Sequence, residues 1–271
     1  LLLFAFKQKV GGGGGKRNPV EHIVRLSNAL KTNQMRFIYV SLPLKLSVYP
    51  ELVARDSTFL MGASTLPQFR QMYLELLQEG VEVIDVFPTF MKAKQDSSIP
   101  LFDLTHNISQ EGARIVAQAV ADHIKETTDF APNENLQALK ETAKQTILKD
   151  KKPYIVKNNL DSPFCIFGNC NLQAFHGKGS GIASNLAFYL QHNIDYLGRK
   201  LIFWGGESEN FDKETFQECC KREIAICISF LTGSFVRISA IHGKTKKKML
   251  WDILRGKQKL TQKWSTLTLE P

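Results

Sequence analysis

Two short stretches carry the residue types of nucleophilic catalysis. Phe102-Asp103-Leu104-Thr105-His106-Asn107 lies directly before a helical pattern, and Phe167-Gly168-Asn169-Cys170-Asn171 directly after a strand-like one. In open α/β sheets, ligands gather at the carboxyl ends of the strands. A thiol at such a tip is exposed and lies beside the backbone amides that open the next segment. An imidazole on the loop before another helix can take the thiol's proton, and a nearby carboxylate can fix its tautomer. The set is therefore Cys170 as nucleophile, His106 as base and Asp103 as orienting acid. Its chemistry is acyl transfer or ester hydrolysis. Asn169, Asn171 and Gly205 are candidate donors to the oxyanion. His176, on the glycine-rich loop Phe175-His176-Gly177-Lys178-Gly179-Ser180-Gly181, is a candidate pocket residue.

Each residue also has a plainer reading. A cysteine closing an apolar strand packs as a small hydrophobe, a histidine before a helix caps or decorates it, and an aspartate there forms a turn. No spacing rule joins residue 106 to residue 170. The glycine-rich loop departs from the phosphate-cradling G-x-x-x-x-G-K-[ST] pattern, because Gly179 follows Lys178. Asn107-Ile108-Ser109 is a glycosylation sequon that abuts the candidate site. The other histidines (His22, His123, His192, His242) have no partners at metal-ligand spacing, and no cofactor is expected.

The elements that must hold these residues follow from periodicity. Ile23, Leu26 and Leu30 recur at helical spacing, and 36–42 reads as a buried strand ended by Pro43. A helix is predicted over 66–78, closed by Gly80, then a strand over 81–87 stopped by Pro88. Ser109 is the expected N-cap of a helix reaching about Lys125. Strands are expected at 164–168, 200–206 and 223–230, with helices at 182–191 and 211–221 between them. Alternation of this kind predicts a three-layer α/β/α sandwich around a mostly parallel sheet. The expected division is a strand fragment and Gly-rich bridge over 1–18, the sandwich over 19–235, and a basic, strand-rich extension over 236–271.

Composition narrows the classes. Of the 271 residues, 43% are hydrophobic and 23% charged, which suits a globular chain and excludes a disordered one. No apolar run reaches the roughly 18 residues of a membrane span. Leu1-Leu2-Leu3-Phe4-Ala5-Phe6 lacks the flanks of a signal peptide, and the chain begins without Met, so this says nothing about export. Five cysteines (Cys165, Cys170, Cys219, Cys220, Cys227) are too few for a disulfide framework; one or two bonds are possible, and at least one thiol stays unpaired in the monomer. The net charge of +9 is uneven: residues 1–150 carry +1, residues 151–271 carry +8. Arg237, Lys244, Lys246, Lys247 and Lys248 belong to a run over 237–263 in which Asp252 is the single acid. Such a run is either a solvated face or a binder of polyanions, whether glycan, lipid head group or nucleic acid. It has no finger, RNP-like or helix-turn-helix signature, so nucleic acid is the least favoured of these.

Several stretches together resemble the SGNH-hydrolase-like domain of the alginate O-acetyltransferase family, periplasmic proteins that acetylate exopolysaccharides. Pro43-Leu44-Lys45 with Tyr49-Pro50 resembles the loop after its first strand, and Gly80 to Asp85 its second strand. Thr105-His106 with Gly112-Ala113 and Ala117 resembles the Asp-Thr-His-Trp motif and following helix. Ile166-Phe167-Gly168-Asn169-Cys170, with Gly181, Leu186, Ala187 and Tyr189-Leu190, resembles the Gly-Asp-Ser nucleophile block. The histidine motif precedes the nucleophile motif, as in that family.

The departures cluster at one place. Cys170 stands where the family has serine, Asn169 where it has aspartate, and Asn107 where it has tryptophan. Leu104 occupies the position of the acid two residues before the histidine, with Asp103 one place further back. The resemblance implies an envelope protein, periplasmic or extracellular, with a membrane tether in a longer chain as one option. It would act on or beside an acidic polysaccharide or acetyl ester, with a membrane-bound acetyl-transfer partner. Three readings follow: a non-catalytic or weakly active homologue in exopolysaccharide acetylation or glycan binding, an active Cys-His acyltransferase or esterase, and a polyanion binder acting through the basic run.

Overall fold

The computed structural model describes residues 19–52, 67–96, 98–103, 107–130, 155, 156, 159, 161–199 and 213–229. In chain order these form α1 (Pro19–Thr32), β1 (Arg36–Ser41), α2 (Lys45–Val48), α3 (Pro67–Gln78), β2 (Glu82–Asp85), α4 (Phe87–Asp96) and α5 (Gln110–Thr127). They continue with β3 (Phe164–Gly168), α6 (Cys170–Gln173), α7 (Ile182–Leu190), β4 (Ile194–Arg199), α8 (Lys213–Cys219) and β5 (Ile224–Ser229).

The five strands form one sheet in the order β2-β1-β5-β3-β4, and every pair is parallel. Succession runs outward from β1 to β2 on one side and from β3 to β4 on the other. The crossovers therefore diverge on either side of β5, and a switch of this kind leaves a crevice at the carboxyl ends of the central strands.

Strand alternation sends successive side chains to opposite faces. One face carries Ile38, Val40, Phe164, Ile166, Ile224, Ile226 and Ile228, packed under α4, α5 and α7. The other carries Phe37, Tyr39, Cys165, Phe167, Ala225 and Cys227, packed under α1, α3 and the end of α8. β3 and β5 are buried along their whole length, which explains their near-continuous apolar sequences. The fold is the expected three-layer sandwich with a parallel sheet.

Local signals acted as expected at several boundaries. Ser109 Oγ accepts from Gly112 N at 3.0 Å and opens α5. Gly80, at φ 71°, closes α3: its N–H donates to Leu77 O and Val81 N–H to Leu76 O, the paired bonds of a Schellman cap.

Two elements add to the sequence reading. Pro88 does not merely stop β2; it lies in the first turn of α4, where its missing N–H costs no helical bond, while Asp85 Oδ1 accepts from Phe87 N at 3.0 Å. The edge strand β4 occupies Ile194–Arg199, just before the strand expected at 200–206, which lies outside the described residues. β4 carries Asp195, and its Gly198 has φ 76°, which a regular strand does not adopt; the pairing register with β3 shifts between Ile166 and Phe167. The 1–18 segment and the 236–271 extension also lie outside the described residues.

Candidate functional site

The site begins where β3 runs out. A Cβ on Gly168 would lie 2.1 Å from Ile228 O, so only glycine lets β3 approach β5 this closely at its carboxyl end. Asn169 N then donates to Ile228 O at 3.1 Å, the last tie to the sheet. Asn169 caps α6, its Oδ1 accepting from Asn171 N at 3.0 Å. Cys170 is the first residue of that one-turn helix and is partly exposed, while Asn169, Asn171 and Leu172 around it are buried.

The histidine-bearing loop is pinched at its base. Phe102 and Ile108 form an antiparallel bridge, Asp103 N donates to Asn107 O at 2.9 Å, and Ser109 N donates to Leu101 O at 2.9 Å. A Cβ on Gly112 would sit 2.4 Å from Leu101 O, so the first turn of α5 closes against this base only because residue 112 is glycine. Phe102 packs edge-on to Tyr49 and tilted against Phe90, with ring centroids 6.1 and 5.7 Å apart. Lys45 Nζ donates to Asp103 O at 2.7 Å from the other side; burial pulls this ammonium below its ordinary range, and Asp103 opposes the shift.

One side chain joins the two loops. Asn171 Oδ1 accepts from Ile108 N at 2.9 Å, a buried bond between residues 63 apart in sequence. The residue beside Cys170 is thereby fixed to the loop that carries His106. Asn171 Nδ2 is buried and has no hydrogen-bond partner among the described residues.

The expected residues fare differently. Cys170, Asn169 and Asn171 stand together at the carboxyl tip of β3, and Asp103 stands in the adjoining loop. His106 lies outside the described residues, as do Leu104 and Thr105; its described neighbours Asp103 and Asn107 hold each other. Gly205 and the basic residues Arg237, Lys244, Lys246, Lys247 and Lys248 also lie outside them. His176 is stacked on Tyr196, with ring centroids 3.7 Å apart and planes 10° apart. Its Nδ1 is buried without a hydrogen-bond partner among the described residues, and burial lowers the imidazole's pKa. The reading from sequence offered Asn169 and Asn171 as oxyanion donors; each spends its oxygen on a structural bond, which only the fold reveals. It gave no role to Gly112, whose importance comes from the carbonyl above it. Among the described residues, no three His, Cys, Asp or Glu side chains converge as a metal site requires.

With this geometry in view, the chain can be placed among known proteins. Residues 5–152, more than half of its length, match the family described as SGNH hydrolase-like domain, acetyltransferase AlgX. The chain belongs to that family. The matched span includes Asp103 and His106 and ends before Cys170. Two solved structures share the SGNH-hydrolase-like fold. The O-acetyltransferase domain of Pseudomonas putida AlgJ is 12% identical, with 89% of each chain covered and a TM-score of 0.56. Pseudomonas aeruginosa AlgX is 15% identical over 81% of this chain, with a TM-score of 0.52; the likeness spans 58% of the AlgX chain. No curated protein matches the chain in sequence. No described helix is long and apolar enough to cross a membrane.

Proposed function

We propose that this protein is a slow, thiol-dependent member of its acetyltransferase family, taking acetyl groups onto Cys170 while working on an acidic exopolysaccharide in the cell envelope. The observation that carries this reading is the placement of a partly exposed thiol at the carboxyl tip of a central strand, bound through Asn171 to the histidine loop. A sulfur kept only for packing would be sealed, as Cys227 is.

In this reading His106 takes the Cys170 proton and the thiolate attacks the acetyl carbonyl. The tetrahedral oxyanion accepts from Cys170 N–H and from Asn171 Nδ2, the buried donor beside it. The acyl C–O bond then breaks, His106 returns the proton to the leaving alkoxide, and an S-acetyl enzyme remains. A sugar hydroxyl completes transfer; water completes hydrolysis. Slowness follows from Asn169, which caps α6 but brings no negative charge, and from Leu104 in the place of an acid. Asp103 supplies orientation from one residue further back. The basic run that includes Arg237, Lys244, Lys246, Lys247 and Lys248 would draw an anionic polymer toward the site, and a membrane-bound partner would supply acetyl groups.

The test is intact-mass analysis after incubation with an activated acetyl ester. The expected result is one hydroxylamine-labile acetyl group, lost in Cys170→Ala and in His106→Ala, with turnover raised by an acidic oligosaccharide acceptor. No acetylation of the folded wild type, alongside retained binding of the oligosaccharide, would leave glycan binding without turnover.

A further inference from the structure

On the face of the sheet away from α5, Cys165 Sγ and Cys219 Sγ stand 3.5 Å apart, both fully buried, one on β3 and the other at the end of α8. All five cysteines are thiols in this structure. We infer that Cys165 and Cys219 are a built dithiol–disulfide site that locks α8 onto the sheet.

The fold sets this pair independently of any bond between the sulfurs. Cys165 is level with Asp195 in the β3–β4 register. The Asp195 carboxylate receives both Nη2 and Nε of Arg222, at 2.6 and 3.1 Å, and both side chains are about 1% exposed. Arg222 follows Cys219 by three residues, and its N–H donates to Cys219 O at 2.9 Å. The ion pair therefore pins the end of α8 over the start of β3 and β4, and the two sulfurs are held facing each other. Forming the bond asks for a closure of about 1.5 Å to reach the 2.05 Å of a disulfide. Other thiols are placed less well for the same partner: Cys227 lies on β5, level with Phe167 rather than Cys165, and Cys220 points from a partly exposed position.

Burial also dictates when the bond forms. The hydrogen bond to Cys165 and the loss of solvent push the Cys219 thiol well above its ordinary range, so the finished fold offers little thiolate. Oxidation belongs to folding, before α8 closes. Exchange with a low-molecular-weight disulfide balances the step. The thiolate of Cys219 attacks it and expels one thiol; Cys165 thiolate then displaces the second thiol from the mixed disulfide, forming the Cys165–Cys219 bond. The loop closed spans 54 residues, long enough for a sizeable loss of unfolded-state entropy.

The inference is independent of catalysis at Cys170, and the envelope reading decides only which form the cell holds. The full chain is reduced, unfolded, refolded in mixed reduced and oxidised glutathione, then alkylated in denaturant and mapped by peptide fragmentation. The expected product has a Cys165–Cys219 link and three alkylated thiols, Cys170, Cys220 and Cys227. Its melting temperature should exceed that of the reduced chain by roughly 10 °C, a gain kept in Cys220→Ser and lost in Cys219→Ser. Five alkylated thiols, or a link made through Cys220 or Cys227, would overturn it; the wild-type map decides even if Cys219→Ser fails to fold. Failure of Cys170 acetylation with the link intact counts against the function proposed above and leaves this site standing.

Discussion

The two ends of the sheet are built to different rules. At the amino end, charge is met by charge. Arg222 and Asp195 are sealed together, and Asp195 Oδ1 also accepts from Asn159 N at 2.9 Å. Nearby, Arg36 and His123 both bind the Glu82 carboxylate, with Arg36 Nε to Oε2 at 2.7 Å. At the carboxyl end, polar atoms are left with capacity: Asn171 Nδ2 has no partner among the described residues, and Cys170 is partly open. A buried donor without an acceptor costs free energy. The contrast is between an end where charge pairs tie the strands together and an end that carries a partly exposed thiol beside a buried amide donor.

Breaking each end should therefore give different signatures. The largest expected loss of stability is at the amino end: Asp195→Ala leaves Arg222 buried without its counter-charge, at a cost of about 3–5 kcal/mol in denaturant unfolding. The folded fraction should keep its Cys170 alkylation rate. At the carboxyl end, Asn171→Ala removes the acceptor of Ile108 N and should cost about 1–3 kcal/mol. Its Cys170 acetylation should fall by tenfold or more, and an unchanged acetylation rate would detach Asn171 from the chemistry. The smallest effect concerns pH. Burial raises the Glu82 pKa, but the bonds from Arg36 and His123 outweigh it and hold the carboxyl below its ordinary range. A depressed carboxyl gives stability above its unfolded pKa of about 4.3, lost as pH falls through the folded value. Glu82→Gln should flatten that acid-side fall by at most about 1 kcal/mol, since the pair is a quarter exposed. A wild-type and variant pair with parallel acid unfolding curves would show that this cluster adds nothing.

Legibility divided along the same physical line. β1, β3 and β5 were readable because strands buried on both faces must be apolar throughout. α5 was readable because Ser109 announces its start, and α3 because Gly80 announces its end. β4 was not, since Asp195 looks wrong for a strand until Arg222, 27 residues later, neutralises it. α4 was hidden by Pro88, which breaks a helix interior yet suits a first turn. At the site, the strand-tip position of Cys170 could be read from order alone. The tie from Asn171 to Ile108 could not, because nothing at either residue names a partner 63 positions away.

Composition and periodicity thus determined the layered architecture, the strand that leads to Cys170 and the helix capped by Ser109. These are consequences of burial and backbone bonding, which act within a few residues. Tertiary structure alone decided which loops meet, which carboxylate answers which guanidinium and which two sulfurs face each other. Those pairings depend on the order of strands in the sheet, and strand order is fixed by the packing of the whole chain rather than by any local run of it.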